Sequence, residues 1–134
     1  SADGYEVEWG AAGGNIFAAG ISTIGNVEDS KGNLRRIPQN SQSSAYTLSV
    51  ADAGKHIGIT TGGVTIPAGQ FSTGDAITIV NDSASDQTIT CSAVTTYLAN
   101  DTNVKSSLTL KARGLATFLF VSATVVYGAG AGLE

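Results

Sequence analysis

The sequence predicts an all-β chain: an antiparallel β-sandwich or barrel of about eight or nine short strands, preceded by an extended N-terminal arm. Three observations point there. From Ser44 onward, large apolar residues alternate with Thr and Ser at the period-2 spacing of half-buried strands. Clusters of Gly, Asp, Asn and Ser interrupt these runs about every ten residues, the spacing expected of short strands joined by turns. No segment carries the 3.6-residue apolar period of a helix.

The elements follow in order. Residues 1–43 are rich in Gly, Ala and Ser, from the flexible run Gly10-Ala11-Ala12-Gly13-Gly14 to the polar linker Gln39-Asn40-Ser41-Gln42-Ser43. Between them Ile16, Phe17, Ile21, Ile24 and Val27 are too apolar to leave in water and too few to form a core. This arm therefore needs a surface to lean on, and the five residues are the expected oligomer interface.

Residues 44–134 form the β-domain. Tyr46, Leu48 and Val50 alternate with Thr47 and Ser49, and Asp52-Ala53-Gly54-Lys55 turns the chain. Ile57 and Ile59 resume the alternation, and Thr61-Gly62-Gly63 turns into Val64-Thr65-Ile66, which Pro67 ends. Asp75 to Val80 and Thr88 to Cys91 are further strands on either side of a polar loop, with Cys91 inward. Thr95 to Ser106 reads as a longer irregular piece that carries Tyr97.

Leu108-Thr109-Leu110 alternates again, and Leu115 to Val121 is apolar on nearly both faces, as in a strand at the middle of a sandwich. Thr124 to Tyr127 closes the domain. The expected core is Leu48, Val50, Ile57, Ile59, Val64, Ile66, Ile77, Ile79, Ile89, Leu108, Leu110, Leu119 and Val121, with Tyr46 and Tyr127 also inward.

Composition narrows the function. Ala, Gly, Ser and Thr supply 64 of the 134 residues, and charged residues only 13%, which argues against a highly charged disordered chain. The net charge of −4 and the scattering of seven basic residues, Arg35-Arg36 apart, argue against nucleic-acid binding. No apolar stretch is long enough for a membrane-spanning helix, so no membrane insertion is expected. The chain begins at Ser1 and contains no Met, which suggests a lost upstream segment.

Candidates for chemistry are few. His56 is the only histidine, with Asp52 four residues away, and reads as an ordinary strand-edge residue. Cys91 reads as a small buried hydrophobe, since nothing nearby would lower its pKa. Asp75, Asp82, Asp86 and Asp101 fall at strand ends and in loops, where Asp is a common turn former. No catalytic residue, metal site or cofactor is expected. Trp9 in the arm and Tyr97 in its loop are the candidate surface-binding aromatics.

Several segments occur in a recognisable order. They are Arg36-Ile37-Pro38-Gln39-Asn40, Ser44-Ala45-Tyr46-Thr47-Leu48, Ala51-Asp52-Ala53-Gly54-Lys55-His56-Ile57 and Thr60-Thr61-Gly62-Gly63-Val64-Thr65-Ile66-Pro67. Gly74-Asp75-Ala76-Ile77-Thr78-Ile79, Gln87-Thr88-Ile89-Thr90, Gly114-Leu115-Ala116-Thr117 and Gly130-Ala131-Gly132-Leu133 follow. In this order they resemble a family of bacteriophage virion proteins found at the C-terminal ends of tail-fibre and fibre-like proteins. Gly4-Tyr5-Glu6-Val7-Glu8-Trp9-Gly10 resembles the joint that precedes such domains in cyanophage fibres.

The resemblance implies a non-enzymatic structural component of the virion, a tip or knob domain of a tail or head fibre. It also implies a homotrimer, contacts with other virion proteins, and a host cell-surface glycan or protein as a further partner. A second reading is a capsid decoration protein anchored to coat subunits by residues 1–43. A third is a glycan-cleaving enzyme built on paired carboxylates.

Overall fold

In the computed structural model, which describes residues 25–134, the alternation seen in the sequence becomes strands throughout. The arm residues Ile16, Phe17, Ile21 and Ile24, and Trp9, lie outside the described residues. A small antiparallel hairpin comes first, β1 (Glu28–Asp29) and β2 (Gly32–Asn33). Lys31 at its turn ties it to the body, its Nζ donating to the carbonyl oxygens of Val50 and Ala53, 3.1 Å each.

Six strands follow: β3 (Gln39–Gln42), β4 (Tyr46–Thr47), β5 (His56–Ile59), β6 (Val64–Pro67), β7 (Ala76–Asn81) and β8 (Gln87–Ser92). The chain alternates between two layers as it runs. β3, β5 and β7 pair in parallel, Gln39 beside His56 and His56 beside Thr78. β4, β6 and β8 do the same, Tyr46 beside Val64 and Val64 beside Ile89. Parallel neighbours cannot be joined by a tight hairpin, and here each crossover is itself a strand of the opposite layer. The result is three turns of a flattened coil.

The remaining strands close it: β9 (Thr95–Leu98), β10 (Val104–Lys105), β11 (Ser107–Ser122) and β12 (Val125–Leu133). β11 serves both layers. Ser107 to Leu110 pair antiparallel with β8, and Leu115 to Leu119 pair antiparallel with β7. Between these halves the pairing with β12 shifts register and Arg113 adopts φ 59°, bending the strand from one layer to the other. β12 lies on the far side of β11, β9 runs parallel to β12, and β10 pairs antiparallel with β9.

The chain is thus all-β, with a nearly closed, barrel-like sheet and one three-residue 3-10 turn, Val50–Asp52, among the described residues. The expectation of purely antiparallel strands is corrected: the sheet is mixed. Apolar alternation reports which side chains face inward, and it is the same for either strand direction. The count also rises, to twelve strands among the described residues. Two of the additions lie in the supposed irregular piece, as β9 and β10, and the supposed linker Gln39–Gln42 is strand β3.

Between the layers lie Leu48, Ile57, Ile59, Val64, Ile66, Ile77, Ile79, Ile89, Leu108 and Leu110, all buried as expected. Three expected core residues are not. Val50 is 59% exposed because the 3-10 turn begins there and carries Asp52 inward instead. Leu119 and Val121 are 45% and 47% exposed because β11 turns the other way, burying Ala116, Phe118 and Phe120. Both sets are apolar, and the two rings bring more area into the core. Phe120 also meets Phe71, with centroids 4.7 Å apart. Tyr46 is half-buried, and Tyr127, expected inward, points out.

Candidate functional site

The side of β11 turned away from the core builds an uncovered apolar face. Directly paired strand residues share a face, so the register lays out its rows. Leu115 lies between Val80 of β7 and Ala131 of β12, Thr117 between Thr78 and Ala129, and Leu119 between Ala76 and Tyr127. The third row continues through Tyr97 of β9 to Val104 of β10. Leu115, Leu119, Val121 and Tyr127 are 45–49% exposed, and Val104 59%.

None of these positions is charged, and no charged residue occurs between Arg113 and Glu134. At the centre of the face the hydroxyls of Thr78 and Thr117 bond each other at 2.8 Å. Tyr97 and Tyr127 pack with ring centroids 5.4 Å apart. Tyr97, expected in a loop, is a half-buried residue of β9, and its partner Tyr127 was expected in the core. Val27, the one arm residue of the expected interface that is described, is 40% exposed and belongs to the β1–β2 region.

The described carboxylates and His56 are locally partnered. His56 places Nδ1 3.0 Å from the Ile37 carbonyl oxygen. Asp52 is instead buried in a network of its own. Its carboxylate accepts from Asn40 Nδ2, Tyr46 Oη and the Ser49 backbone N–H, each at 2.8 Å, and from Ser49 Oγ at 3.3 Å. Burial pushes its pKa up, but these donors outweigh it and hold the group below its usual value. The same burial, with the neighbouring carboxylate, pushes the Tyr46 phenol up. This network was not recognised in the sequence, where Asp52 read as a turn residue.

Cys91 is buried, and desolvation raises its thiol pKa, the opposite of what a nucleophile needs. Asp75 accepts from the Ser72 N–H, and Asp82 pairs with Arg113 at 2.7 Å. Asp86 is lowered by the Ala112 N–H and then by Lys111, which itself reaches Glu134 at 2.7 Å. Asp101 is held at about 2 by Lys105, 2.7 Å away, and by Asn103. Among the described residues no group of three His, Cys, Asp or Glu is placed to hold a metal ion. An open hollow of about 480 Å3 at one loop end is lined by Thr60–Gly63 and Ser85–Thr88, with Asp86 its one carboxylate.

The apolar face is thus a feature that local pairing leaves unaccounted for. It was visible in sequence as a segment, Leu115 to Val121, apolar on both sides. Those outward residues were assigned to a sandwich interior because alternation cannot show whether a second layer covers them. Against models of protein families and against curated proteins, the chain shows no match.

Proposed function

We propose that this chain is a non-enzymatic structural component of a bacteriophage virion, the tip or knob domain of a tail or head fibre, which acts by packing against other proteins. The observation that carries the reading is the uncharged face of β7, β11, β12, β9 and β10, whose large side chains are about half exposed in the chain alone. Large apolar side chains clustered on one exposed, uncharged face favour a surface that packs against a partner. The ordered segments from Arg36 to Leu133 that resemble phage fibre domains support the same conclusion. The stacked coil suits an extracellular load: a stiff core is built from hydrogen-bonded strands and carries no disulfide, Cys91 being free.

Host contact in this reading falls to the loop end, where the Thr- and Ser-lined hollow offers hydroxyl and backbone groups suited to a glycan. Immunogold labelling of the particle with antibody raised against the chain tests the assignment. Label at fibre ends is the expected result. Label spread over the capsid faces would replace it with a decoration protein, and an unlabelled particle would reject both.

A further inference from the structure

We propose that Arg35-Arg36, in the connector between the β1–β2 hairpin and β3, is a cleavage site for a trypsin-like protease, and that the cut separates the arm and hairpin from a body that stays folded. The inference does not depend on where in a virion the protein sits.

A protease of this class needs a basic side chain free to enter its specificity pocket. Seven basic residues occur in the chain, none of them in residues 1–24. Lys105, Lys111 and Arg113 lie in strands and are paired with Asp101, with Asp86 and Glu134, and with Asp82. Lys31 is spent on the carbonyl oxygens of Val50 and Ala53. Lys55 has its backbone fixed on both sides: its N–H donates to the Asp52 carbonyl oxygen at 2.9 Å, and its own carbonyl oxygen accepts from Thr78 at 3.1 Å. Arg35 and Arg36 differ from all of these. They are exposed, they belong to no strand, and their guanidinium groups bond to nothing among the described residues.

A protease also takes its substrate extended, so a folded segment must first open, at a free energy set by the contacts it loses. Around the doublet little is lost. No residue from Gly25 to Thr47 is buried, and Leu48 is the first of the core. The contacts that hold β3 beside β5 lie on the far side of the cut. The Ile37 carbonyl oxygen is 3.0 Å from His56 Nδ1, and the Pro38 carbonyl oxygen accepts from the His56 N–H at 2.9 Å. The body therefore keeps its first strand after cleavage.

The step is hydrolysis of the amide between Arg36 and Ile37. Water is the co-reactant: the Arg36 carbonyl carbon takes the hydroxyl, the Ile37 nitrogen takes the hydrogen, and the carbon–nitrogen bond breaks. The acid proton then passes to the amine, leaving a carboxylate on Arg36 and an ammonium on Ile37.

The test is limited digestion of the full chain with trypsin under native conditions, with each new N-terminus sequenced, beside the double variant Arg35→Gln, Arg36→Gln. The first stable product should begin at Ile37, directly or through an intermediate that begins at Arg36, and should keep the β-type circular dichroism spectrum of the uncut chain. The double variant should be cut at least about tenfold more slowly. First cleavage after Lys31, Lys55, Lys105, Lys111 or Arg113 would overturn the proposal. So would a double variant cut at the wild-type rate, or loss of the β-type spectrum on cleavage at the doublet.

Discussion

At Asp52 one carboxylate organises the edge where β3, β4 and the 3-10 turn meet. It is 1% exposed, yet it is ionised and satisfied, because its donors come from three separate pieces of chain. Its folded pKa lies below its ordinary 3.8, so the folded state favours the charged form. The stability it adds is therefore full above the ordinary value and is lost as pH falls through the lower folded value. Asp52→Asn places an amide among converging donors and should cost about 1.5–3 kcal/mol at pH 7. Urea unfolding from pH 7 to pH 2 should also show a shallower acid limb than wild type. A second pair of residues tests the inward phase of β7 and β11. Ile79→Ala should cost about 2–5 kcal/mol, as for a large core residue, while Leu119→Ala in the monomer should cost less than about 1 kcal/mol. Comparable losses at both sites in urea unfolding would contradict the orientation of β11. Ile79 was legible because Thr78 and Val80 flank it with a polar or smaller neighbour. Leu119 was not, because Phe118 and Phe120 on either side are equally apolar.

Elements were legible in position more than in partner. The turns at Asp52–Gly54 and Thr61–Gly63 fall where their residues imply, and β5 and β6 match the alternation closely, whereas β4 stops at Thr47, three residues before the expected Val50. The parallel coil was not legible, because pairing is decided by where the chain goes after each turn. Gly63 shows what such a turn demands. It sits at φ +72°, and a Cβ there would run into the Thr88 carbonyl oxygen, so β6 can leave the turn beside β8 only with glycine at this point. Its N–H is received by Gln87 Oε1 at 3.0 Å, and Gln87 Nε2 reaches back to the Thr60 carbonyl at 3.1 Å. Gly63→Ala should accordingly lower stability by at least about 2 kcal/mol in thermal or urea unfolding, well beyond an ordinary loop substitution. An effect below about 0.5 kcal/mol would mean that the turn is not built this way. Asp52 escaped notice for a related reason: its role depends on Asn40, which became an inward strand residue only once β3 joined the sheet.

For the whole molecule, the sequence made the all-β class and most of the core legible, and it left the outward face of β11 ambiguous. The coil alone would not be a finished domain, since β7 and β8 each have one side unpaired until another strand arrives. β11 supplies that strand for both layers, with Ser107–Leu110 along β8 and Leu115–Leu119 along β7. This division of one strand between two sheets has a consequence for the order of events during synthesis. The ribosome delivers residues in sequence, so the three turns of the coil emerge while their sealing strand is still inside the exit tunnel. Until about residue 119 has cleared it, two parallel sheets present open edges, the kind that recruit other strands. Productive folding thus waits for β11 to emerge. A chain released at Ser106 should partition into aggregates on expression, whereas the full chain stays in the supernatant, a difference read by centrifuging the lysate. A full-length chain refolded from urea should show a single slow phase in stopped-flow fluorescence, in the ms to s range of long-range β topologies, because both layers wait for the same strand.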